Sequence, residues 1–266
     1  MRSPDPCKVF AAEFCKLFRQ GPGPKPQLKE TLFQVHDYRQ LAARILQNLN
    51  VILEKRFPHV PIDEKLRAAG HEEVAIYWAT KLMEEKLQTI VFLRGPEILD
   101  DSSKDVKFRL HGCVLKYLRI YQRSFEEKSI KVELMGESYG DMIANPVAIG
   151  VIPQTLLDNA LKYSPRNGLV RLRFDESRDT LSFTVSSYGP TIRSGEERRI
   201  FELFYRGEDA KRVEAEGSGY GLYLAQVIAA KNGGVIRMKQ DKKDKMADSV
   251  WTEFTVSFPV KLERRG

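Results

Sequence analysis

The chain of 266 residues is 42% hydrophobic and 30% charged, with a formal net charge of +7. This length and composition are typical of a globular protein with one large domain or two medium domains, and we predict two. Lys and Arg are dispersed among acidic residues except at residues 239–245, so we interpret that run as a solvated hairpin turn and expect no nucleic-acid partner. No stretch has the roughly 20 apolar residues of a membrane helix and no signal peptide opens the chain, so we expect no membrane span and a cytoplasmic location.

The first part of the chain is predicted to be a helical hairpin preceded by a short arm. Residues 1–27 form the arm, because GPGPKP is too rich in proline and glycine for a helix. The hairpin spans residues 28–98, with one helix from Leu28 to just before Phe57 and a second over residues 72–93. Seams with helical spacing identify the two helices: Leu32, Val35, Arg39, Ala42, Leu46, Leu49 and Leu53 on the first, and Ile76, Ala79, Met83, Ile90 and Leu93 on the second.

A single hairpin of this kind leaves too much apolar seam exposed to be stable alone. Two copies are therefore expected to associate into a four-helix bundle, which makes the protein a homodimer. The alternative is that the seam packs against the rest of the same chain.

A second domain is predicted over residues 104–262, after a boundary near residues 95–103. Its first helix is followed by a strand in which Ile130, Val132 and Leu134 alternate with polar residues. The helix is identified by the spacing of Leu115, Leu118, Ile120, Tyr121 and Phe125.

Carboxylate, amide and ammonium groups fall on one face of a predicted helix at residues 154–165. Asp158, Asn159 and Lys162 lie within one turn, because positions three and four apart share a face. Asn159 offers a hard oxygen to Mg²⁺, Lys162 offers a point charge to phosphate, and Asp158 is suited to orient or deprotonate a nucleophile. Taken alone, this segment is equally typical of an ordinary amphipathic helix.

A glycine-rich loop is predicted to open another helix further along the chain. Gly217, Gly219 and Gly221 alternate directly before an apolar run of helical spacing that begins at Leu222. Such a loop exposes unpaired N–H groups and the positive end of the helix dipole, both suited to an anion. It lacks the ending of a Walker sequence and does not follow a strand, so by itself it is also consistent with a glycine-rich turn.

These two segments together resemble the N-box and the second glycine box of the GHKL ATPases, most closely those of sensor histidine kinases. Other segments resemble further blocks of the same family in the same order: VSSYGPTI the first glycine box, IFELFYRG the F-box with the start of the ATP lid, and GGVIRMK with TEFTVSFPV the closing hairpin. The resemblance implies that residues 104–262 form an ATP-binding α/β sandwich of the GHKL type, with a mixed, mostly antiparallel sheet, following the helical hairpin.

His36, in FQVHDYRQL, resembles the phosphoacceptor of the same kinases. Asp37 matches the acid after the histidine, Arg39 matches the arginine, and Gln40 matches the polar residue that assists phosphatase chemistry on a partner, whereas Leu41 stands where many members have proline. A neutral imidazole is nucleophilic near physiological pH, and a neighbouring carboxylate can hold its tautomer and accept a proton. The resemblance therefore implies that His36 receives a phosphoryl group.

The implied activity is that of a histidine protein kinase in a two-component system. It transfers the γ-phosphoryl group of Mg²⁺-bound ATP to His36 and then to an aspartate on a response-regulator receiver protein. The stimulus is expected from a separate sensory protein, from a small ligand on the hairpin, or from a region outside this sequence. Asn159 holds Mg²⁺ in this interpretation, and Asp158 or Asp37 is the working base. The resemblance assigns nucleotide contacts to Asn159, Lys162, Tyr163, Ser187, Gly189, Arg206, Gly217, Gly219, Gly221 and Leu222.

The sequence also departs from the family at positions that bear on ATP binding. Ser187 stands where the family has an Asp that hydrogen-bonds the adenine amino group, Thr191 replaces a glycine, and Asp158 is one methylene shorter than the usual Glu. These departures leave open a phosphotransfer adaptor or scaffold that binds ATP weakly and receives phosphate from a partner. An anti-sigma serine kinase would share the ATPase fold but would not account for His36.

Overall fold

The computed structural model describes residues 25–94, 99, 101–215 and 217–260, and the side chains of residues 25–34, 93 and 94 lie outside that description. Most of the predicted arm, and the seam side chains of Leu32 and Leu93, are therefore outside the described residues. The described chain divides into two compact units, one of helices that ends at Arg94 and one that contains all later elements. The helices are α1 (Lys25–Arg56), α2 (Ile62–Ala68), α3 (His71–Arg94), α4 (Leu110–Glu127), α5 (Pro146–Tyr163), α6 (Glu208–Val213) and α7 (Gly221–Lys231). The strands are β1 (Val106–Arg109), β2 (Lys131–Met135), β3 (Asp141–Ala144), β4 (Leu169–Glu176), β5 (Thr180–Gly189), β6 (Val235–Met246) and β7 (Ser249–Pro259).

Helix α1 packs against α3 along the predicted seam. The helix begins at Lys25, three residues earlier than the sequence indicates, and ends at Arg56, before the proline-containing loop as predicted. Apolar residues that are three and four positions apart lie on one face of a helix, and on α1 that face contacts α3. The seam residues with described side chains are buried apart from Arg39: Val35, Ala42, Leu46, Leu49 and Leu53.

The predicted seam of α3 is wrong at Ile76 and Ala79, although Ile90 is buried as predicted. Ile76 is 47% exposed and Ala79 is exposed, whereas Tyr77 and Leu87 are buried. Apolar residues occur on more than one face of this helix, so spacing alone did not select the face that meets α1. Thr80 is buried on the observed face, where its hydroxyl donates to the Ile76 carbonyl at 2.7 Å and so leaves no unsatisfied polar group.

The connection between α1 and α3 is more ordered than the sequence indicates, because it contains the short helix α2. Leu66 of α2 is buried in a cluster with Leu53 of α1 and Tyr77 of α3. The ammonium group of Lys65, also on α2, pairs with the Glu54 carboxylate of α1. The loop end of the hairpin therefore has a small apolar core of its own.

The second unit is an α/β sandwich with a mixed, mostly antiparallel five-stranded sheet, as predicted. The strand order is β2-β4-β5-β7-β6, in which only the β2–β4 pair is parallel, and β1 pairs with β3 in a separate two-stranded sheet. Helix α5 packs on β5 and contacts both α4 and α7. Because residues 148–157 of α5 are buried on every face, this helix lies at the centre of the unit.

The basic run at residues 239–245 is not the hairpin turn that the sequence analysis predicts. Strand β6 continues through the run to Met246, with a shift in its register against β7 between Asp241 and Lys245. The turn follows at Ala247, whose φ is 52°. The run is exposed on an edge strand, where lysines and a bulge discourage pairing with another sheet.

Among the described residues, no helix combines the length and the apolar character needed to span a membrane.

Candidate functional site

Helix α5 begins at a well-formed cap and ends at the predicted charged cluster. The Asn145 side chain accepts hydrogen bonds from the backbone N–H groups of Val147 and Ala148, which fixes the start of the helix. At the other end, the ammonium group of Lys128 donates to the carbonyl oxygens of Leu161 at 2.7 Å and Lys162 at 3.1 Å. Both ends of the helix are thus held, and the residues on its last turns have a defined position.

Asp158 and Lys162 form an ion pair on the last turns of α5. Lys162 Nζ lies 2.6 Å from Asp158 Oδ2, and the side chains are 37% and 18% exposed, respectively. The carboxylate of Asp158 raises the pKa of Lys162, which therefore remains a cation. The Tyr121 hydroxyl of α4 donates to Asp158 Oδ1 at 3.3 Å, a contact that sequence reasoning missed because it joins residues far apart in the chain.

Asn159 and Tyr163 lie on the same helix end, and both are half-buried. The Asn159 side chain makes no hydrogen bond to another described residue, so its oxygen is available to a ligand. Among the described residues there is no cluster of three or more His, Cys, Asp or Glu side chains that could hold a metal ion. Mg²⁺ is commonly held by one or two protein oxygens together with substrate phosphates, and a single Asn159 oxygen fits that mode.

The glycine loop approaches the F-box segment backbone to backbone. Gly219 has a φ of +71°, and a Cβ atom built on it would lie 2.7 Å from the Phe204 carbonyl carbon. The Phe204 N–H donates to the Gly219 carbonyl at 3.0 Å, and Phe204 itself has a φ of 63°. Only glycine fits this approach, because any side chain would enter the space of the neighbouring backbone.

The same loop also lies against helix α5. A Cβ atom on Gly221, the first residue of α7, would lie 3.0 Å from Thr155 Cγ2 of α5. Tyr220 is close enough to both Lys162 and Tyr121 to contribute to the raised pKa of each. The two segments on which the resemblance rests are therefore brought together, with the glycine loop beside the Asp158–Lys162 pair.

Arg206 lies at the start of the lid segment, which we define as residues 207–215. Its Nη1 atom donates to the Ala215 carbonyl at 2.9 Å, and its Nη2 atom donates to the Glu214 carbonyl and, at 3.5 Å, to that of Ala210. The guanidinium also lies over Gly217, where a Cβ atom would be 2.8 Å from Cζ. The sequence predicts a phosphate contact for Arg206, but the structure places its guanidinium on the backbone of the lid.

Glu196 is a second residue of the lid region that sequence reasoning missed. Its carboxylate is 6% exposed and accepts hydrogen bonds from Arg193 N–H at 2.9 Å, Tyr205 O–H at 2.8 Å and Glu208 N–H at 3.1 Å. Burial alone would raise the pKa of Glu196, but these three donors outweigh it, so the pKa is lowered and the carboxylate stays ionised. Glu196 thereby ties the first turn of α6 to the F-box.

Ser187 and Gly189 lie at the end of β5, next to β7. Ser187 pairs with Thr252 across the strands and is half-buried. The Gln240 side chain fixes the chain segment directly after β5. Its Nε2 donates to the Pro190 carbonyl at 2.9 Å and to Thr252 Oγ1 at 2.8 Å. The Ser187 side chain makes no hydrogen bond to another described residue, so it is available to a bound base.

His36, Asp37 and Gln40 belong to the helical unit and are exposed on α1. His36 Nδ1 lies 3.8 Å from Asp37 Oδ1, and the two side chains are 65% and 73% exposed. Gln40 follows four residues later, so it lies on the same helical face as His36. An imidazole beside a carboxylate and open to solvent is accessible to a reacting group.

Comparison with known proteins identifies the relatives of this chain. Residues 144–262 match the family described as histidine kinase-, DNA gyrase B-, and HSP90-like ATPase. The chain is 38% identical over 213 residues to the signal transduction histidine-protein kinase/phosphatase MprB of Mycobacterium sp. (strain KMS), and 28% identical over 211 residues to that of Mycobacterium leprae (strain TN). Both matches cover 77% of this chain and 38% of the relative, so the chain spans about two fifths of the length of these proteins.

A solved structure of the mycobacterial sensor histidine kinase MprB shares the fold. The match covers 58% of this chain and 97% of the solved chain, with a TM-score of 0.50 and 24% sequence identity.

Proposed function

We propose that this chain, whose residues 144–262 belong to the family of histidine kinase-, DNA gyrase B- and HSP90-like ATPases, is an ATP-dependent protein histidine kinase of a two-component system. It transfers the γ-phosphoryl group of ATP to His36 and then to an aspartate on a response-regulator receiver protein. The observation that carries the proposal is the placement of the glycine loop beside the Asp158–Lys162 pair, at the contact of Gly221 with Thr155. Since ATP is the substrate, we place the reaction in the cytoplasm.

The exposed imidazole of His36 is the proposed nucleophile. Its Nδ1 atom faces the Asp37 carboxylate, which leaves Nε2 free to attack. A bond forms between Nε2 and the γ-phosphorus while the bond from that phosphorus to the bridging oxygen breaks, and ADP leaves. The imidazole N–H proton passes to Asp37 or to water. Gln40, on the same face, is placed to assist hydrolysis of the phosphoaspartate on the partner.

The α5 helix end and the glycine loop are the proposed nucleotide site. The Asn159 oxygen holds Mg²⁺, which when bound neutralises charge on the phosphates. The Lys162 ammonium meets phosphate oxygens, and Asp158 orients the incoming nucleophile or acts as base. The backbone N–H groups around Gly219 receive phosphate, in a loop that requires glycine because it packs against the Phe204 backbone. Tyr163, Ser187, Gly189 and Leu222 are proposed to line the rest of the nucleotide, and Arg206 is proposed to meet phosphate once it leaves the lid carbonyls.

A homodimer through the hairpin is the proposed assembly. Helix α1 carries a second apolar stripe whose members are between 43% and 51% exposed. Their spacing of three, four and seven residues is that of a helix–helix interface. The stripe consists of Tyr38, Leu41, Ile45 and Ile52.

A labelling experiment tests the kinase proposal. Purified protein is incubated with γ-labelled ATP and Mg²⁺, and acid-labile label is compared between the wild type and the His36→Gln variant. We expect label on the wild type that is absent from the variant. His71→Gln is the matched control, since it removes another exposed histidine of the hairpin and should keep the label.

The second candidate function is a phosphotransfer adaptor with weak ATP binding. Ser187 favours it, since a half-buried hydroxyl takes the place of a charged partner for the base. Wild-type protein that neither becomes labelled nor binds ATP, but accepts phosphate on His36 from a phosphorylated receiver, would contradict the kinase and support the adaptor.

A further inference from the structure

Tyr121 is a buried residue of α4 that contacts the proposed site from outside helix α5. Its side chain has no exposed surface, and its hydroxyl donates to Asp158 Oδ1 at 3.3 Å. Lys162 Nζ approaches the other oxygen, Oδ2, at 2.6 Å. The two oxygens of one carboxylate are therefore held by different partners, one on α4 and one on α5 itself.

The chemistry of the two partners makes this arrangement stable. Burial, and then the neighbouring Asp158 carboxylate, raise the pKa of Tyr121 well above its ordinary value, so the hydroxyl keeps its proton and remains a donor. Lys162 remains a cation because the Asp158 carboxylate raises its pKa. Three phenols also act on these two groups: Tyr117 of α4, Tyr163 at the end of α5, and Tyr220 of the glycine loop. The Lys128 ammonium lies nearby, on the carbonyls of Leu161 and Lys162.

Because the side chain of Asp158 is short, a hydrogen-bond donor outside helix α5 matters for the orientation of its carboxylate. An aspartate beside a lysine one helical turn away can turn both oxygens toward the ammonium. A donor on a second helix prevents that rotation because it engages Oδ1.

We propose that Tyr121 is a positioning residue of the phosphoryl-transfer site, holding the Asp158 carboxylate so that Oδ1 stays aimed away from Lys162. This inference rests on the proposed kinase function. Tyr121 acts through Asp158 and touches neither nucleotide nor acceptor. Its effect should therefore be on the rate of phosphoryl transfer to His36, with ATP binding largely retained.

The variant Tyr121→Phe tests this role, because it removes only the hydroxyl. We expect kcat for autophosphorylation to fall about tenfold or more, since a hydrogen bond to a charged group is lost, while KM for ATP changes little. In an Asp158→Asn background the same substitution should cause no further loss.

Tyr117→Phe is the matched control, because Tyr117 is a buried tyrosine one turn earlier on the same helix, with its hydroxyl beside Gly150 and not at Asp158. Equal losses of kcat in the two Phe variants, or a further loss from Tyr121→Phe in the Asp158→Asn background, would overturn the positioning role while leaving the kinase intact. A wild type that takes no label would instead overturn the proposed function.

A spectroscopic measurement keeps the inference testable if Tyr121→Phe does not fold. The ¹³Cζ resonance of Tyr121 reports on its hydroxyl, so it should shift in Asp158→Asn and not in Asp248→Asn, an exposed aspartate in the β6–β7 turn. An unchanged resonance in Asp158→Asn would overturn the contact on which the proposal depends.

Discussion

Gly219 is the residue whose substitution has the clearest expected consequence. Ala at this position must adopt a φ of +71° and also place a Cβ atom 2.7 Å from the backbone of Phe204. We expect Gly219→Ala to lower the free energy of unfolding by about 2 kcal/mol or more, from the left-handed backbone and the clash together. ATP affinity should fall as well, because the loop can no longer approach the F-box. Urea unfolding and titration with ATP measure the two effects.

Gly195→Ala separates the two causes, because Gly195 has a φ of +87° but no heavy atom within 4 Å of a built Cβ. This control should lose only about 1 kcal/mol and keep its ATP affinity. Equal behaviour of the two variants would show that the Phe204 contact is not what the glycine loop requires.

The residues that the sequence could identify are those whose neighbours lie within one or two helical turns. Asp158 and Lys162 are four apart on one helix, so their pairing follows from helical geometry alone. The contacts of Tyr121 and Glu196 depend instead on how separate elements pack, and no local pattern marks them. Arg206 is an intermediate case, since its position in the F-box was recognised but its partners, the lid carbonyls, depend on the path of the lid backbone.

At the scale of elements, α1 and α3 differ in how well the sequence predicts the buried face of each helix. The buried face of α1 was predicted because its apolar residues recur at regular spacing over several turns, from Val35 to Leu53. On α3 the apolar residues spread over adjacent faces, and it is Tyr77, not Ile76, that packs with Leu53 of α1 and Leu66 of α2. The sheet order was not predictable from strand patterns, although the mixed type followed from the family resemblance.

The lid helix α6 is an element held chiefly by side chains from outside it. Arg206 donates to carbonyls at and beyond the carboxyl end of α6, and its fork reaches several of them at once. A lysine keeps the positive charge but lacks the planar guanidinium that donates to several carbonyls at once. We expect Arg206→Lys to raise hydrogen exchange of the amides in residues 208–215 by about fivefold in the absence of nucleotide, for a loss of about 1 kcal/mol.

Arg212→Lys is the control for this measurement, because the Arg212 side chain is 74% exposed and pairs with Asp209 within α6 itself. It should leave lid exchange nearly unchanged. Exchange that rises equally in both variants, or in neither, would contradict the role of Arg206 in holding the backbone of the lid.

The assembly of the whole molecule should depend on the exposed stripe of α1. A carboxylate at Ile45 would have to be buried without a partner if two copies meet there, which is costly in an apolar interface. We therefore expect Ile45→Glu to weaken dimerisation at least about a hundredfold, since about 3 kcal/mol or more is lost. Light scattering over a range of micromolar concentrations measures the change.

Gln47→Glu supplies the matched control, because Gln47 is exposed and lies about 200° around the helix axis from Ile45. The same charge is added there outside the stripe, so the dimer should persist. A wild type that is monomeric throughout the concentration range would remove the four-helix bundle. A dimer that survives Ile45→Glu would instead move the interface to another face of the hairpin, away from the stripe that runs from Tyr38 to Ile52.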